Sequence, residues 1–269
     1  MAGRVSGGPG VDPPDNPRDV VQSLERGLAV ILAFSDHGPE LSLQQLAELT
    51  GLSRPAVRRI LITLRGLGYV RSDGPRYSLT SRVLRLGYAY LSSQRLQDVA
   101  QPHLESFVGE VRESCSLGSL DGTDVMVVAR VPARRIMAIT MAVGTRLPAH
   151  ASALGRVLLA GLDAGALDAW CAGAVLDPLT PRTVTTEAAL RRELARARER
   201  GHVILDQELE EGVRTVAAPV RDAAGRVPYA VACSVHAGLV DEARLRREHL
   251  PALLATAENI SKEMAHLGR

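Results

Sequence analysis

An α+β fold is predicted: an N-terminal winged helix-turn-helix unit, then a domain with a mainly antiparallel sheet. Three observations predict it. Residues 42–65 hold two short helical patterns joined at a glycine, with arginines on the second. Two strand patterns, 69–71 and 76–79, follow across the turn Ser72-Asp73-Gly74-Pro75. Beyond residue 112, short apolar runs alternate with helical ones, as in an α+β domain.

Composition bounds the reading. A chain of 269 residues has room for two domains. With 3% aromatics, its cores must be built from Leu, Val, Ala and Ile. The net charge of +2 is unevenly placed. Residues 50–85 hold eight arginines against Asp73, a local +7, which leaves −5 on the rest. A basic module on a mildly acidic body suits a nucleic-acid binder. Arginine outnumbers lysine, of which Lys262 is the sole example, and genomic base composition explains that. Cys115, Cys171 and Cys233 have no metal-ligand spacing, and their odd number argues against a disulfide scaffold. No metal or cofactor is therefore expected. Residues 1–17, rich in Gly and Pro, read as a disordered tail rather than a signal peptide. No apolar run reaches the ~18 residues of a membrane span, so a cytoplasmic protein is expected.

The first domain spans 18–80. An amphipathic helix at 19–35 presents Val20, Leu24, Leu28, Ile31 and Leu32, more apolar surface than a small domain needs. It is assigned to dimerisation, giving a homodimer or homotetramer. Asp36-His37-Gly38-Pro39 ends it. Ser42 with Gln45 three residues later fits a capping box. Gly51 supplies the turn, Ser53 can cap the second helix, and Pro55 is tolerated in its first turn. Ala56, Ile60, Leu61, Leu64 and Leu67 give that helix its inner face. Ser53, Arg54, Arg58, Arg59, Thr63 and Arg65 are its DNA-reading candidates, with Ser42 ahead of them and Arg71 and Arg76 on the wing. Double-stranded operator DNA is the expected partner. Arg58 and Arg59 lie about 100° apart round a helix, so one reads bases and the other meets phosphate.

Residues 81–98 are expected to form a linker helix, and 99–269 the second domain. There a helix from about His103 to Arg112 precedes apolar runs at 115–120, 124–131, 135–141, 202–206, 213–220 and 228–236. Asp121-Gly122 signals a hairpin. Helices are expected at 150–161, 163–172, 186–200 and 241–266. Cys115, Ser116, Asp206, His150 and His236 could in principle make a nucleophile–base set. No nucleophile elbow, phosphate loop or metal motif accompanies them, so an enzyme is not expected.

Five stretches carry a family resemblance: Val21-Gln22-Ser23-Leu24-Glu25-Arg26-Gly27-Leu28; Gly51-Leu52-Ser53-Arg54; Leu67-Gly68-Tyr69-Val70; His150-Ala151-Ser152-Ala153-Leu154-Gly155-Arg156; and Asp206-Gln207-Glu208-Leu209-Glu210-Glu211-Gly212-Val213-Arg214. From about residue 18 to 268 the chain resembles the IclR family of bacterial transcriptional regulators. Leu86-Gly87-Tyr88-Ala89-Tyr90-Leu91, Ala129-Arg130-Val131-Pro132 and Arg134-Arg135-Ile136-Met137 look like the branch with the PcaR, PcaU and PobR regulators. That branch answers to protocatechuate, 4-hydroxybenzoate or β-ketoadipate and controls aromatic-acid catabolism. The resemblance implies a GAF/profilin-like effector domain that binds a small carboxylic acid. It implies a pocket at the helix start near Ser152, the strand around Arg214 and the last strand near Ser234. His150, Ser152, Ala153, Leu154, Arg214, Thr215, Ser234 and His236 are the effector candidates, with Arg214 as carboxylate partner and Arg135 as a second cation. For Arg214 a salt bridge to Glu208, Glu210 or Glu211 is the competing role. Pro228-Tyr229 departs from the usual apolar approach to the last strand, and Cys115 and Cys233 are expected to alter pocket polarity. Other readings are an IclR-type regulator of another small-acid pathway, or a ligand-independent DNA-binding protein.

Overall fold

The computed structural model describes residues 20–87, 96–133 and 141–267, which fall into two units, each taken by itself. The expected tail at 1–17, residues 88–95 of the expected linker helix, and Arg135 with most of the run 135–141 lie outside the described residues.

In the first unit, α1 (Gln22–His37), α2 (Leu43–Thr50) and α3 (Arg54–Gly66) pack on a sheet of β1 (Leu41–Ser42), β2 (Val70–Asp73) and β3 (Arg76–Leu79). Its order is β1-β3-β2, antiparallel throughout. The capping box forms: Gln45 N–H donates to Ser42 Oγ at 3.3 Å, and Ser42 N–H to Gln45 Oε1 at 2.9 Å. Replacing Ser42 with alanine is expected to cost about 1 kcal/mol of stability, read by urea denaturation. Gly51 ends α2 at φ +66°, a left-handed conformation that turns the chain into α3. Ser53 takes the N-cap position without a side-chain cap bond, unlike the cap the sequence suggests. Val30, Phe34, Leu46, Val57, Leu61, Leu64 and Val70 form the core. Helix α1 buries Val30, Ala33 and Phe34, while Val21 beside it and Leu24, Leu28 and Leu32 along it stay exposed. It therefore carries two apolar faces, and this unit covers one. Strand β1 was not visible in the sequence, because two residues cannot display an alternation.

The second unit is built on a six-stranded antiparallel sheet. Its strands are β4 (Cys115–Asp121), β5 (Asp124–Val131), β6 (Arg146–Pro148), β7 (Val203–Asp206), β8 (Val213–Val220) and β9 (Tyr229–His236), in the order β6-β5-β4-β9-β8-β7. Helices cover both faces, which explains apolar runs such as Tyr229-Ala230-Val231-Ala232-Cys233 in place of strict alternation. One face packs on α4 (Leu96–Val111) and the C-terminal helix through Leu117, Val216, Val231, Phe107, Leu253 and Ile260. The other packs on α5 (Ala153–Ala160), α6 (Ala164–Gly173) and α7 (Glu187–Arg200) through Leu158, Trp170, Leu194, Leu205 and Ala217.

Two helix boundaries differ from expectation. Helix α4 is already formed at Leu96 and carries Pro102 inside it, where the sequence suggests a start. Proline in a helix interior costs about 3 kcal/mol. Burial of Val99, Leu104 and Phe107, at about 1.5–3 kcal/mol each, outweighs that. The C-terminal helix is interrupted: α8 (Glu242–Arg244) passes through a π turn at Leu245–His249 into α9 (Leu250–Leu267). Pro251 cannot donate to the carbonyl four residues back, and the wide turn lies just before it.

Candidate functional site

On the first unit, Arg54, Arg58, Arg59 and Arg65 of α3 are all exposed, as are Arg71 and Arg76 beside the wing turn. Among the described residues none of the six is in an ion pair. Successive residues turn by 100°, so Arg54, Arg58 and Arg65 fall within about 40° of one another on one stripe. Arg59 and Thr63 lie further round. They line a groove of about 560 Å³ with Leu24, Leu28 and Ile31 of α1. The Thr63 hydroxyl donates to the Arg59 carbonyl at 3.1 Å within its own helix. The wing arginines are steadied in place: Arg71 Nε donates to Ser78 Oγ at 2.9 Å, and Arg76 Nη1 to the Glu40 carbonyl at 3.3 Å. Arg65 Nη1 reaches Ser72 Oγ at 3.3 Å, which ties α3 to the wing. Ser42 is occupied by its cap, whereas the exposed Ser53 hydroxyl is not.

On the second unit, a narrow recess of about 30 Å³ lies between the start of α5, the loop after β7, and the strands β4, β8 and β9. It brings together Ser152, Ala153, Leu154, Thr215 and Ser234 of the sequence-derived candidates. Ser116, Met141, Glu208 and Leu209 also line it. Ser152 caps α5, its Oγ accepting from Gly155 N–H at 3.1 Å. The amides of Ala153 and Leu154 are first-turn donors with no intrahelical acceptor, and they sit at the positive end of the helix. The Thr215 and Ser234 hydroxyls, paired across β8 and β9, are 3.0 Å apart. Arg130 stands behind Ser116, its Nη1 donating to Ser116 Oγ at 2.8 Å and lying 3.7 Å from Met141 Sδ. Burial lowers its pKa from the usual guanidinium value, yet arginine remains a cation.

Three candidates do not join the recess. Arg214 neighbours Thr215 on β8, so the strand's period of two points it through the other face. There its Nη2 pairs with Asp206 Oδ1 at 2.7 Å, and its Nη1 donates to the Val240 carbonyl at 2.5 Å. The competing salt bridge exists, but its partner is Asp206, which Arg182 also holds, rather than Glu208, Glu210 or Glu211. His150 is buried, with its Nε2 3.0 Å from the Asp177 carbonyl. His236 is exposed at the end of β9, where its Nδ1 accepts from Gly238 N–H at 3.1 Å. Cys115 and Cys233 are registered opposite each other on β4 and β9, in the core on the far side of the sheet, so they do not set pocket polarity. Burial pushes the Cys115 thiol pKa up, as befits an inert core residue.

Sequence reasoning missed Arg130 and Glu208 as site residues. Glu208 lies beside the recess because Arg156, 1% exposed, holds it from beneath. Arg156 Nη2 pairs with Glu208 Oε2, Nη1 lies 3.4 Å from Oε1, and Nε donates to the His150 carbonyl at 2.7 Å. The signal available was an arginine within the apolar helix Ala153–Ala160, a position that requires a buried partner.

Among the described residues, no helix is long and apolar enough to cross a membrane. Comparison with known proteins matches residues 23–74 to the IclR helix-turn-helix domain and 88–262 to the bacterial transcriptional regulator IclR C-terminal domain. The Pca regulon regulatory protein of Pseudomonas putida is 39% identical over 91% of this chain and 85% of its own. The p-hydroxybenzoate hydroxylase transcriptional activator of Acinetobacter baylyi is 36% identical over 90% of this chain and 91% of its own. A solved IclR homologue of Microbacterium hydrocarbonoxydans, complexed with 4-hydroxybenzoate, is 25% identical with a TM-score of 0.79, covering 91% of this chain and 99% of that one. These relatives are regulators rather than enzymes, and the two matched domains together take in both units described above. The chain belongs to the IclR family of DNA-binding transcriptional regulators.

Proposed function

We propose that this regulator's operator affinity is set by a small carboxylic acid of the protocatechuate, 4-hydroxybenzoate or β-ketoadipate class, bound in the recess of the second unit. The observation that carries the reading is that Ala153 and Leu154, at the start of α5, line the recess together with Ser116, Thr215 and Ser234, and that Arg130 donates to Ser116. A helix start and a nearby guanidinium suit a carboxylate, and the apolar Leu147, Leu154 and Leu205 suit its carbon frame. The regulators of the Pca regulon and of p-hydroxybenzoate hydroxylase among its relatives support control of aromatic-acid catabolism. So does the 4-hydroxybenzoate complex. Isothermal titration of the full chain with the three acids tests it. Saturable heat from at least one is expected, and silence from all three opposes the reading.

A ligand shifts an equilibrium only by its differential affinity for two states. The two states proposed are operator-competent and operator-incompetent homodimers or homotetramers. The exposed stripe of Val21, Leu24, Leu28 and Leu32 supports association through α1. On DNA, the shared stripe of Arg54 and Arg58 supports major-groove reading, Ser53 a phosphate contact, and Arg71 and Arg76 wing contacts. Arg58→Ala is expected to weaken binding to a duplex selected from random sequence by about tenfold or more, with Arg59→Ala weakening it less. A salt-titrated mobility shift checks this, and unchanged binding of Arg58→Ala removes the assignment.

A further inference from the structure

A carboxylate in the lining of a site proposed to take an acid needs an explanation. Among the described residues, Glu208 is the one acidic residue lining the recess, its side chain 15% exposed. Its charge is balanced from below by Arg156, whose side chain is 2% exposed. The two oxygens are unequally used. Oε2 accepts from Arg156 Nη2 and from Val184 N–H at 3.3 Å, while among the described residues Oε1 has only the 3.4 Å approach of Arg156 Nη1. A carboxylate accepts and cannot donate, and it has about four lone-pair directions. Among the described residues, the other side-chain oxygens of the lining are neutral hydroxyls, each already in a hydrogen bond. Ser152 takes Gly155 N–H, Thr215 and Ser234 bond each other, and Ser116 takes Arg130. Glu208 therefore offers a charged acceptor with unused capacity, separate from the donors that suit a carboxylate.

We infer that Glu208 reads a hydrogen-bond donor on the bound acid, so that the recess selects acids carrying a ring hydroxyl. This rests on the reading of the recess as the acid site. The ligand carboxylate meets the α5 amides and the Ser116–Arg130 pair, and its hydroxyl donates to Glu208. An acid of the same size without a donor leaves Glu208 desolvated and unmatched, and it gains nothing from the charged acceptor. Among the three candidate acids this favours protocatechuate and 4-hydroxybenzoate over β-ketoadipate, whose keto oxygen only accepts.

The test is isothermal titration of the full-length wild-type chain and Glu208→Gln with 4-hydroxybenzoate, protocatechuate, 4-fluorobenzoate, benzoate and β-ketoadipate. In the wild type the two hydroxylated acids are expected to bind about tenfold or more tighter than 4-fluorobenzoate and benzoate. In Glu208→Gln that ratio is expected to shrink several-fold. The wild-type series stands even where the variant fails to fold. Equal binding of 4-hydroxybenzoate and 4-fluorobenzoate to the wild type overturns the inference and leaves the recess as an acid site. A folded Glu208→Gln with an unchanged ratio overturns it too, placing discrimination elsewhere. No binding of any acid overturns the recess reading itself, and this inference with it.

Discussion

Arg156→Met is expected to lower the stability of the second unit by about 3–5 kcal/mol, the cost of breaking a buried pair by removing one partner. The arginine is 1% exposed and bonds both oxygens of Glu208 and the His150 carbonyl. Methionine fills much of its volume and satisfies none of them. Glu208 would keep the Val184 N–H alone, and the His150 carbonyl would lose its donor. Glu208 borders the recess, so water can enter and relieve part of the penalty, which places the expected loss nearer 3 than 5. At the usual sensitivity of a domain this size, that lowers the melting temperature by roughly 10 °C. Differential scanning calorimetry checks the prediction. A double variant, Arg156→Met with Glu208→Leu, should recover part of the loss, because no uncompensated charge then remains. A loss below about 1 kcal/mol in the single variant means that the pair does not support the fold.

The reach of the sequence follows the range of each interaction. The capping box, the Gly51 turn and the wing turn are set by residues within four positions of each other, and each is legible. The stripe of Arg54, Arg58 and Arg65 follows from helical spacing once Val57, Leu61 and Leu64 are known to face inward. The side of the groove bordered by Arg59 and Thr63 does not, because it depends on where α1 lies. In the second unit, the resemblance led to Ser152, Thr215 and Ser234. It also led to Arg214, which strand parity alone separates from Thr215. Both cannot face one pocket, and their order in the sequence already says so. Glu208 and Arg156 lie 52 positions apart, and Ser116 and Arg130 lie 14 apart across a hairpin. Local patterns cannot report such pairings. Strand β6 and the π turn before Pro251 escaped for another reason: each is too short to have a periodicity.

A second large effect is expected one residue before Arg156. A Cβ built at Gly155 would stand 2.2 Å from the Ala149 carbonyl oxygen, 2.3 Å from its Cα and 2.6 Å from its carbonyl carbon. All three are backbone atoms, so no rotamer change relieves the overlap. Overpacking typically costs 1–3 kcal/mol when side chains can give way, and about 3 kcal/mol or more is expected here, where the chain itself must move. The segment that must move, 149–153, holds the Ser152 cap and leads into the first-turn amides of α5. Gly155→Ala should therefore lose stability and acid binding together. Gly109→Ala in α4 provides the opposite sign. That position is exposed, nothing lies within 4 Å of its built Cβ, and alanine is expected to stabilise by about 0.4–1 kcal/mol. Chemical denaturation of both variants with titration of 4-hydroxybenzoate separates the causes. A Gly155→Ala chain that keeps wild-type stability would show that α5 can shift away from 149–153. If it also kept wild-type affinity, the start of α5 could not be the part of the recess that holds the acid.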